Sequence, residues 1–304
     1  MAAQKKILVT GVAGFIGSNL ADRLLRGGYT VIGIDNLYCG VREQVPSGVE
    51  FHKLDIRSKD IYPLFNGAKA VFHLAAKNCL LDCQKDPVET SDINITGTVN
   101  VFEAARRAKV GKVVYAESSA VYEKRALGFY AISKTSANLF SKGFQEMGLT
   151  TVGLRYFNVY GPRQDYRRTI PPVMSTFIIR ILKGEPIVSY EGDEKNSRDF
   201  VYVDDVNDFH MLCINDSRVD NQVFDIGNGR TYTIADVLSA VERVIGEKAP
   251  LIKKPRPSDD PVVQTLADIA AAKRLGWEPK VSMEDGLREM VAYIKEEIKK
   301  GNIG

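Results

Sequence analysis

The stretch that most constrains this chain is Ile7-Leu8-Val9-Thr10-Gly11-Val12-Ala13-Gly14-Phe15-Ile16-Gly17. A short apolar run breaks into a glycine-rich turn, and helical spacing begins at once with Phe15, Ile16, Leu20, Leu24 and Leu25. Strand, tight turn and helix together aim backbone N–H groups and the positive end of a helix at a phosphate. Gly11 permits the turn, Gly14 admits a diphosphate close to the backbone, and Gly17 lets the helix pack near the strand. Three glycines at this spacing also suit an ordinary strand-to-helix turn, so the next strand decides. Residues 30–34 form a second apolar run that ends in Asp35, 18 positions after Gly17. A carboxylate there accepts the hydroxyls of an adenosine ribose and repels a 2′-phosphate. No arginine directly follows it. The combination predicts NAD rather than NADP.

To about residue 155, strand-like runs alternate with helical patterns, which implies βαβ units and a parallel sheet. Residues 49–54, 70–74, 112–116 and 151–156 read as further strands. Helical periodicity covers 87–108, with Ile93, Val101, Phe102 and Ala105 on one side, and returns over 129–147 until Gly148 stops it. Beyond Gly161-Pro162-Arg163 the alternation loosens, with prolines at 162, 171, 172, 186, 255, 257 and 261. The expected architecture is an α/β, Rossmann-type doubly wound parallel sheet with a smaller C-terminal α/β domain. The expected bounds are 1–165 for the first domain, with 198–228 returning to it, and 166–197 plus 229–304 for the second. At 304 residues the chain can bury one large core or two joined ones.

Several classes of partner are disfavoured at this point. A net charge of +3 gives no basis for nucleic acid or a membrane surface. No apolar run approaches the ~18 residues of a membrane span. A strand starting at Ile7 leaves no room for a signal peptide, and Cys39, Cys79, Cys83 and Cys213 lack a disulfide framework spacing. A cytoplasmic protein is expected. Cys79 and Cys83, with His52, His73 and His210, show no ligand-like spacing, so no metal is expected. His73 reads as a strand-end histidine of the cofactor pocket. Lys77 reads equally as a contact to cofactor or substrate and as a solvated lysine.

The sharpest chemical constellation is Tyr130-Ala131-Ile132-Ser133-Lys134, downstream of Ser118-Ser119. Residues at i and i+4 of a helix share a face, so Tyr130 and Lys134 point into the same space. An ammonium beside a phenol favours the phenolate. A phenol of reference pKa about 10 then works as a base near neutrality. Ser118 or Ser119, at the end of a strand, would hold a reacting hydroxyl by hydrogen bonding. A Tyr–Lys pair alone fits the surface of any helix; the glycine turn upstream and the serines make it a catalytic candidate.

These residues resemble the extended short-chain dehydrogenase/reductase family, and within it the nucleotide-sugar 4-epimerases. The resemblance spans essentially the whole chain. It rests on the glycine turn, Asp35-Asn36-Leu37, His73-Leu74-Ala75-Ala76, Asn94-Ile95-Thr96-Gly97-Thr98, the serine pair, and Tyr130 with Lys134. It continues through Arg155-Tyr156-Phe157-Asn158-Val159-Tyr160-Gly161-Pro162-Arg163, Arg198-Asp199-Phe200-Val201-Tyr202-Val203-Asp204-Asp205-Val206, Arg256-Pro257-Ser258-Asp259 and Leu275-Gly276-Trp277.

The resemblance implies that NAD lies on Gly11, Gly14, Phe15, Ile16 and Gly17, with Asp35 and Asn36 at the adenosine ribose and Asp55-Ile56 at the adenine. Leu74, Ala75 and Ala76 would line the cofactor, Asn94 would steady it, and Tyr156 joins this set. Tyr130 would be the base, Lys134 would bind the nicotinamide ribose and tune Tyr130, and Ser118, flanked by Ser119, would bind the hydroxyl. Asn158, Arg198 and Arg256 would grip the substrate diphosphate, with Asp259 near the nucleoside ribose, Tyr190 beside the base, and Val173 and Val263 completing the pocket. Arginine forks suit phosphate oxygens. The implied reaction is epimerisation of a UDP-sugar at C4 through a transient 4-keto sugar, with NAD recycled each turn. A homodimer formed through helices 87–108 and 129–147 is also implied.

Departures from the pattern narrow the reading. Tyr130 follows Ser118 by only 12 positions, a shorter link than in most relatives, which implies a more open pocket. Gly128-Phe129 replaces the Pro or Ser that often precedes the tyrosine. Ser118-Ser119-Ala120 stands where sugar 4,6-dehydratases carry Thr-Asp-Glu, leaving no acid for elimination of water. Uronate decarboxylases carry a glutamate where Ala120 stands. Uronate 4-epimerases tend to have Thr and Arg at the positions of Asn158 and Asp165. The small Val263 resembles the members that accept UDP-N-acetylglucosamine as well as UDP-glucose. A non-catalytic NAD-sensing protein on the same fold would be expected to lose Tyr130 or Lys134, and both are present.

Overall fold

A computed structural model describes residues 5–122, 128–168, 171–257 and 263–303. In chain order come β1 (Lys6–Thr10), α1 (Phe15–Arg26), β2 (Thr30–Asp35), β3 (Glu50–Lys53), β4 (Ala70–His73), α2 (Leu80–Lys85), α3 (Pro87–Ser91), α4 (Gly97–Arg107), β5 (Lys112–Ser118), α5 (Phe129–Glu146) and β6 (Thr151–Tyr156). The chain continues with β7 (Asn158–Tyr160), α6 (Val173–Leu182), β8 (Ile187–Tyr190), β9 (Ser197–Tyr202), α7 (Val203–Asn215), β10 (Val223–Ile226), β11 (Thr231–Thr233), α8 (Ile234–Ile245), β12 (Leu251–Lys254), α9 (Ala270–Arg274) and α10 (Met283–Lys299). It divides into two compact units.

The first unit comprises Met1–Tyr156, Asn207–Ile226 and Ala271–Trp277. Its seven strands form one sheet in the order β10-β6-β5-β4-β1-β2-β3, and every pairing is parallel. Ile7, Leu8 and Val9 of β1, and Val71 and Phe72 of β4, are fully buried, as unbroken apolar strands are when helices cover both faces. Phe102 of α4 meets Tyr115 and Phe144 edge-on, each at 5.5 Å between centroids, on a core built from Leu8, Ile32, Ile34, Val71 and Val113. Burying one such ring contributes roughly 2–3 kcal/mol. The strand order reverses at β1, which lies between β2 and β4, and ligands of open parallel sheets bind at the carboxyl ends of strands at such a point.

The second unit comprises Phe157–Val206, Gly227–Ala270 and Glu278–Gly304. It holds a three-stranded sheet, β11-β9-β7, and a parallel pair, β12-β8. Helix α8 opens on a reciprocal cap in which Thr233 and Asp236 satisfy each other's backbone N–H groups, and it closes on Gly246 at φ 85°. The division falls at Tyr156 rather than at residue 165, because β7 pairs with β9 and not with the large sheet. Residues 198–206 go to the second unit for the same reason, whereas β10 joins β6. Residues 271–277 go to the first unit, where Trp277 meets Phe209 edge-on at 5.5 Å.

Two element boundaries differ usefully from the periodicity. The helix expected over 87–108 is three pieces, α3, a π-helical turn at Asp92–Thr96, and α4. Asn94 lies in that turn, and its amide accepts from Lys77 N at 2.8 Å and donates to Lys77 O at 2.9 Å and Ser133 Oγ at 3.0 Å. A single inserted turn of this kind is often found at a functional site. Strand β5 runs on to Ser118, so the serine is its last residue. Among the described residues, no helix is long and apolar enough to cross a membrane.

Candidate active site

The glycine turn fits a dinucleotide. Gly11 has φ +73°, and a Cβ there would lie 2.7 Å from Ala75 N. A Cβ on Gly17 would lie 2.1 Å from the Gly11 carbonyl oxygen, so Gly17 seats α1 against the turn itself. Gly14 caps α1 with no side-chain hydrogen bond, and no acidic residue lies in the first turn around Phe15 and Ile16. That helix end is thus arranged for an anion from outside the chain. Asp35 is buried, and its carboxylate accepts from Ala13 N at 3.0 Å and Leu37 N at 2.8 Å. Burial pushes this carboxyl up, and those two N–H groups oppose the rise.

Around the turn, Asn36 donates to Asp55 at 2.8 Å. Arg57 grips Asp55 through Nε and Nη2 at 2.9 and 2.8 Å and holds its carboxyl well below the usual range. The Ile56 side chain is buried in the core, and its carbonyl oxygen accepts from Asn100 Nδ2 at 2.7 Å. Leu74, Ala75 and Ala76 are half-buried, with Ala75 N donating to Thr10 Oγ1 at 3.3 Å. His73 is buried between Thr10 Oγ1 at 2.8 Å and Thr98 Oγ1 at 2.9 Å. Thr98 Oγ1 donates to Asn94 O at 2.6 Å, so it accepts from His73 Nε2–H, and Thr10 donates to Nδ1. Burial, and then the nearby Lys134 ammonium, push His73 down to about 3. It is a neutral strut. Lys77 is not a solvated lysine: its side chain is 5% exposed and its ammonium meets Glu89 at 2.5 Å.

The proton-handling groups come together in the same unit. Lys134 is buried, with Nζ 5.9 Å from the centre of the Tyr130 ring and donating to Ala116 O at 3.2 Å. Burial pushes its ammonium down to about 8, against the pull of the Glu117 carboxylate. Tyr130 is half-buried, and its carbonyl accepts from Ser133 Oγ at 2.8 Å. Ser118 and Ser119 are half-buried, and Ser118 Oγ accepts from Ala120 N at 3.2 Å. Tyr156, also expected at the cofactor, places its hydroxyl 2.6 Å from Nε2 of buried His210. Residues 123–127, in the middle of the short link from Ser118 to Tyr130, lie outside the described residues.

The anion-recognition candidates lie in the second unit, in three groups. Asn158 is exposed and donates to Asp199 O at 2.8 Å. Arg198 donates to Asn196 Oδ1 at 2.5 Å and to Val263 O. Arg256 pairs with Asp193 and lies 5.8 Å from the centre of the Tyr190 ring. Val173 is half-buried as the first residue of α6. Asp259 lies outside the described residues. Glu117, Arg155, Asp225 and Tyr122 form a linked polar cluster beside Ser118 that no sequence motif announces as a unit.

The chain is similar to known proteins over nearly its whole length. A relative from Methanocaldococcus jannaschii named putative UDP-glucose 4-epimerase is 33% identical over 95% of this chain and 98% of its own. A UDP-glucuronate 4-epimerase from Thermodesulfobacterium geofontis is likewise 33% identical, over 96% of each chain. The crystal structure of UDP-glucose 4-epimerase from Thermotoga maritima, solved with UDP-glucose, superposes with a TM-score of 0.90 at 34% identity, covering 96% of this chain and 99% of that one. The model of the NAD dependent epimerase/dehydratase family matches residues 7–227, and with the dinucleotide turn and the Tyr130–Lys134 pair in place, this chain is a member of that family.

Proposed function

We propose that this protein epimerises a UDP-sugar at C4, acting on UDP-glucose/UDP-galactose and on UDP-N-acetylglucosamine/UDP-N-acetylgalactosamine. The observation that carries the reading is the buried Lys134 ammonium 5.9 Å from the Tyr130 ring, next to the strand end that bears Ser118. Bound NAD would supply a hydride acceptor that later returns the hydride. Tyr130, as phenolate, takes the proton from the sugar 4-hydroxyl and gives it back once the keto sugar has turned over. Lys134 favours the phenolate, and Ser118 holds the reacting oxygen. Asn158, Arg198, Arg256 and Tyr190 suit a diphosphate and a base, although the ion pair with Asp193 offsets part of the Arg256 charge. A tethered diphosphate keeps the keto sugar from leaving while the ring reorients. Phe129, Ile132, Leu139 and Phe140 form an exposed apolar face on α5, which supports the homodimer in this reading.

The 33% identity to a UDP-glucuronate 4-epimerase makes a uronate the second reading. NMR of the purified protein with UDP-glucose, UDP-N-acetylglucosamine or UDP-glucuronate, with no NAD added, separates the two. Galacto products from the first two support the proposal. Turnover of the uronate alone, or a 4-keto-6-deoxy product, overturns it.

A pH dependence follows from Lys134. Its ammonium is pushed down to about 8, so above that pH a neutral amine no longer favours the phenolate. Log kcat between about pH 6 and 10 is expected to fall on the alkaline side beyond about 8. A flat profile to the alkaline end would remove Lys134 from this role.

A further inference from the structure

Ser118 sits between two residues that are both tied to one guanidinium. Glu117 precedes it on β5, and Tyr122 ends the short helical turn Ser119–Tyr122 that follows it. The parallel register sets Glu117 directly opposite Arg155 on β6, and Arg155 directly opposite Asp225 on β10. Arg155 Nε and Nη2 each lie 3.0 Å from Glu117 Oε2, and Nη1 donates to Asp225 Oδ1 at 2.9 Å and to the Tyr122 hydroxyl. That hydroxyl donates in turn to Asp225 Oδ1 at 3.0 Å, while its ring lies 4.8 Å from the guanidinium carbon.

The Glu117, Asp225 and Arg155 side chains are 1%, 7% and 16% exposed. Taking three charges out of water is costly, and apolar side chains would stabilise the same row more simply. A planar fork saturated on several edges does something they cannot, which is to fix direction. Here it fixes both ends of the segment from Glu117 to Tyr122, with Ser118 inside. Tyr122 itself is 53% exposed, so its hydroxyl contributes little to the core.

We propose that Arg155 and Tyr122 are positioning residues for Ser118, holding its Oγ at the place where the reacting sugar hydroxyl must be bound. The inference rests on the serine's role in the reading above. It predicts that the Tyr122 hydroxyl acts on turnover only through the serine.

The test is a double-mutant cycle on full-length protein, measuring kcat, KM and Tm of Ser118→Ala, Tyr122→Phe and the double variant. Tyr122→Phe is expected to lower kcat roughly tenfold with KM and Tm essentially unchanged, and to cost nothing further in the Ser118→Ala background. Arg155→Lys, which keeps the charge and loses the fork, should behave alike; if it does not fold, the tyrosine cycle still decides. An equal loss in both backgrounds, or a Tyr122→Phe that lowers Tm and leaves kcat alone, overturns positioning. A Ser118→Ala protein with full kcat fails earlier, and overturns the serine assignment itself.

Discussion

Tyr130→Phe is expected to reduce kcat for epimerisation by about 10²- to 10⁴-fold, the range lost when a positioned proton carrier is removed. At 1.36 kcal/mol per factor of ten this is roughly 3–5 kcal/mol of barrier. The substitution keeps the ring and removes only the hydroxyl. Tyr130 is the second residue of α5, it is only half-buried, and its backbone contact with Ser133 Oγ does not involve the phenol oxygen. The ring stays to face Lys134, so Tm, KM and bound NAD should change little. Steady-state kinetics with NMR detection of the epimer checks it, with cofactor content measured by absorbance after denaturation. Retention of more than about a tenth of the activity would place the base elsewhere.

Gly17→Ala is expected to abolish cofactor retention and to destabilise the fold as well. Its Cβ would stand 2.1 Å from the Gly11 carbonyl oxygen and 2.8 Å from its carbon, and both atoms are backbone. Nothing there rotates away, so α1 must shift from the turn, at a cost of about 1–3 kcal/mol for overpacking. The shift also withdraws the helix end offered to the diphosphate. Gly14→Ala is the instructive contrast, since its Cβ would meet the same oxygen at 3.2 Å. It should weaken cofactor binding while leaving the Tm of cofactor-free protein nearly unchanged. Gel filtration followed by assay of bound NAD, with thermal unfolding of both cofactor-free proteins, separates the two effects. Equal Tm losses would mean that Gly17 is not special in seating the helix.

Much of the first unit is legible locally. The strands up to residue 156 are apolar runs bounded by turns, and their observed ends lie within one or two residues of those the runs imply. The placement of Tyr130 and Lys134 on one face needs only helical spacing. The π-helical turn at Asp92–Thr96 is not legible, because the apolar spacing of 87–108 is compatible with an unbroken helix. It is Asn94, bonded to Lys77 and Ser133 from distant segments, that accompanies the inserted turn. Tyr156 likewise belongs to a family motif, while its hydroxyl lies against His210, 54 positions away.

Features that depend on neighbours along the chain are readable from residue order: the glycine turn, the carboxylate closing β2, the helical pairing of tyrosine and lysine, and the family. Features that depend on register between strands emerge only in the folded chain. Arg155 meets Glu117 across 38 positions and Asp225 across 70, and a change of one residue in either pairing would turn a partner to the opposite face. No local periodicity encodes that alignment, because it is set by how whole strands pack their buried faces in a parallel sheet.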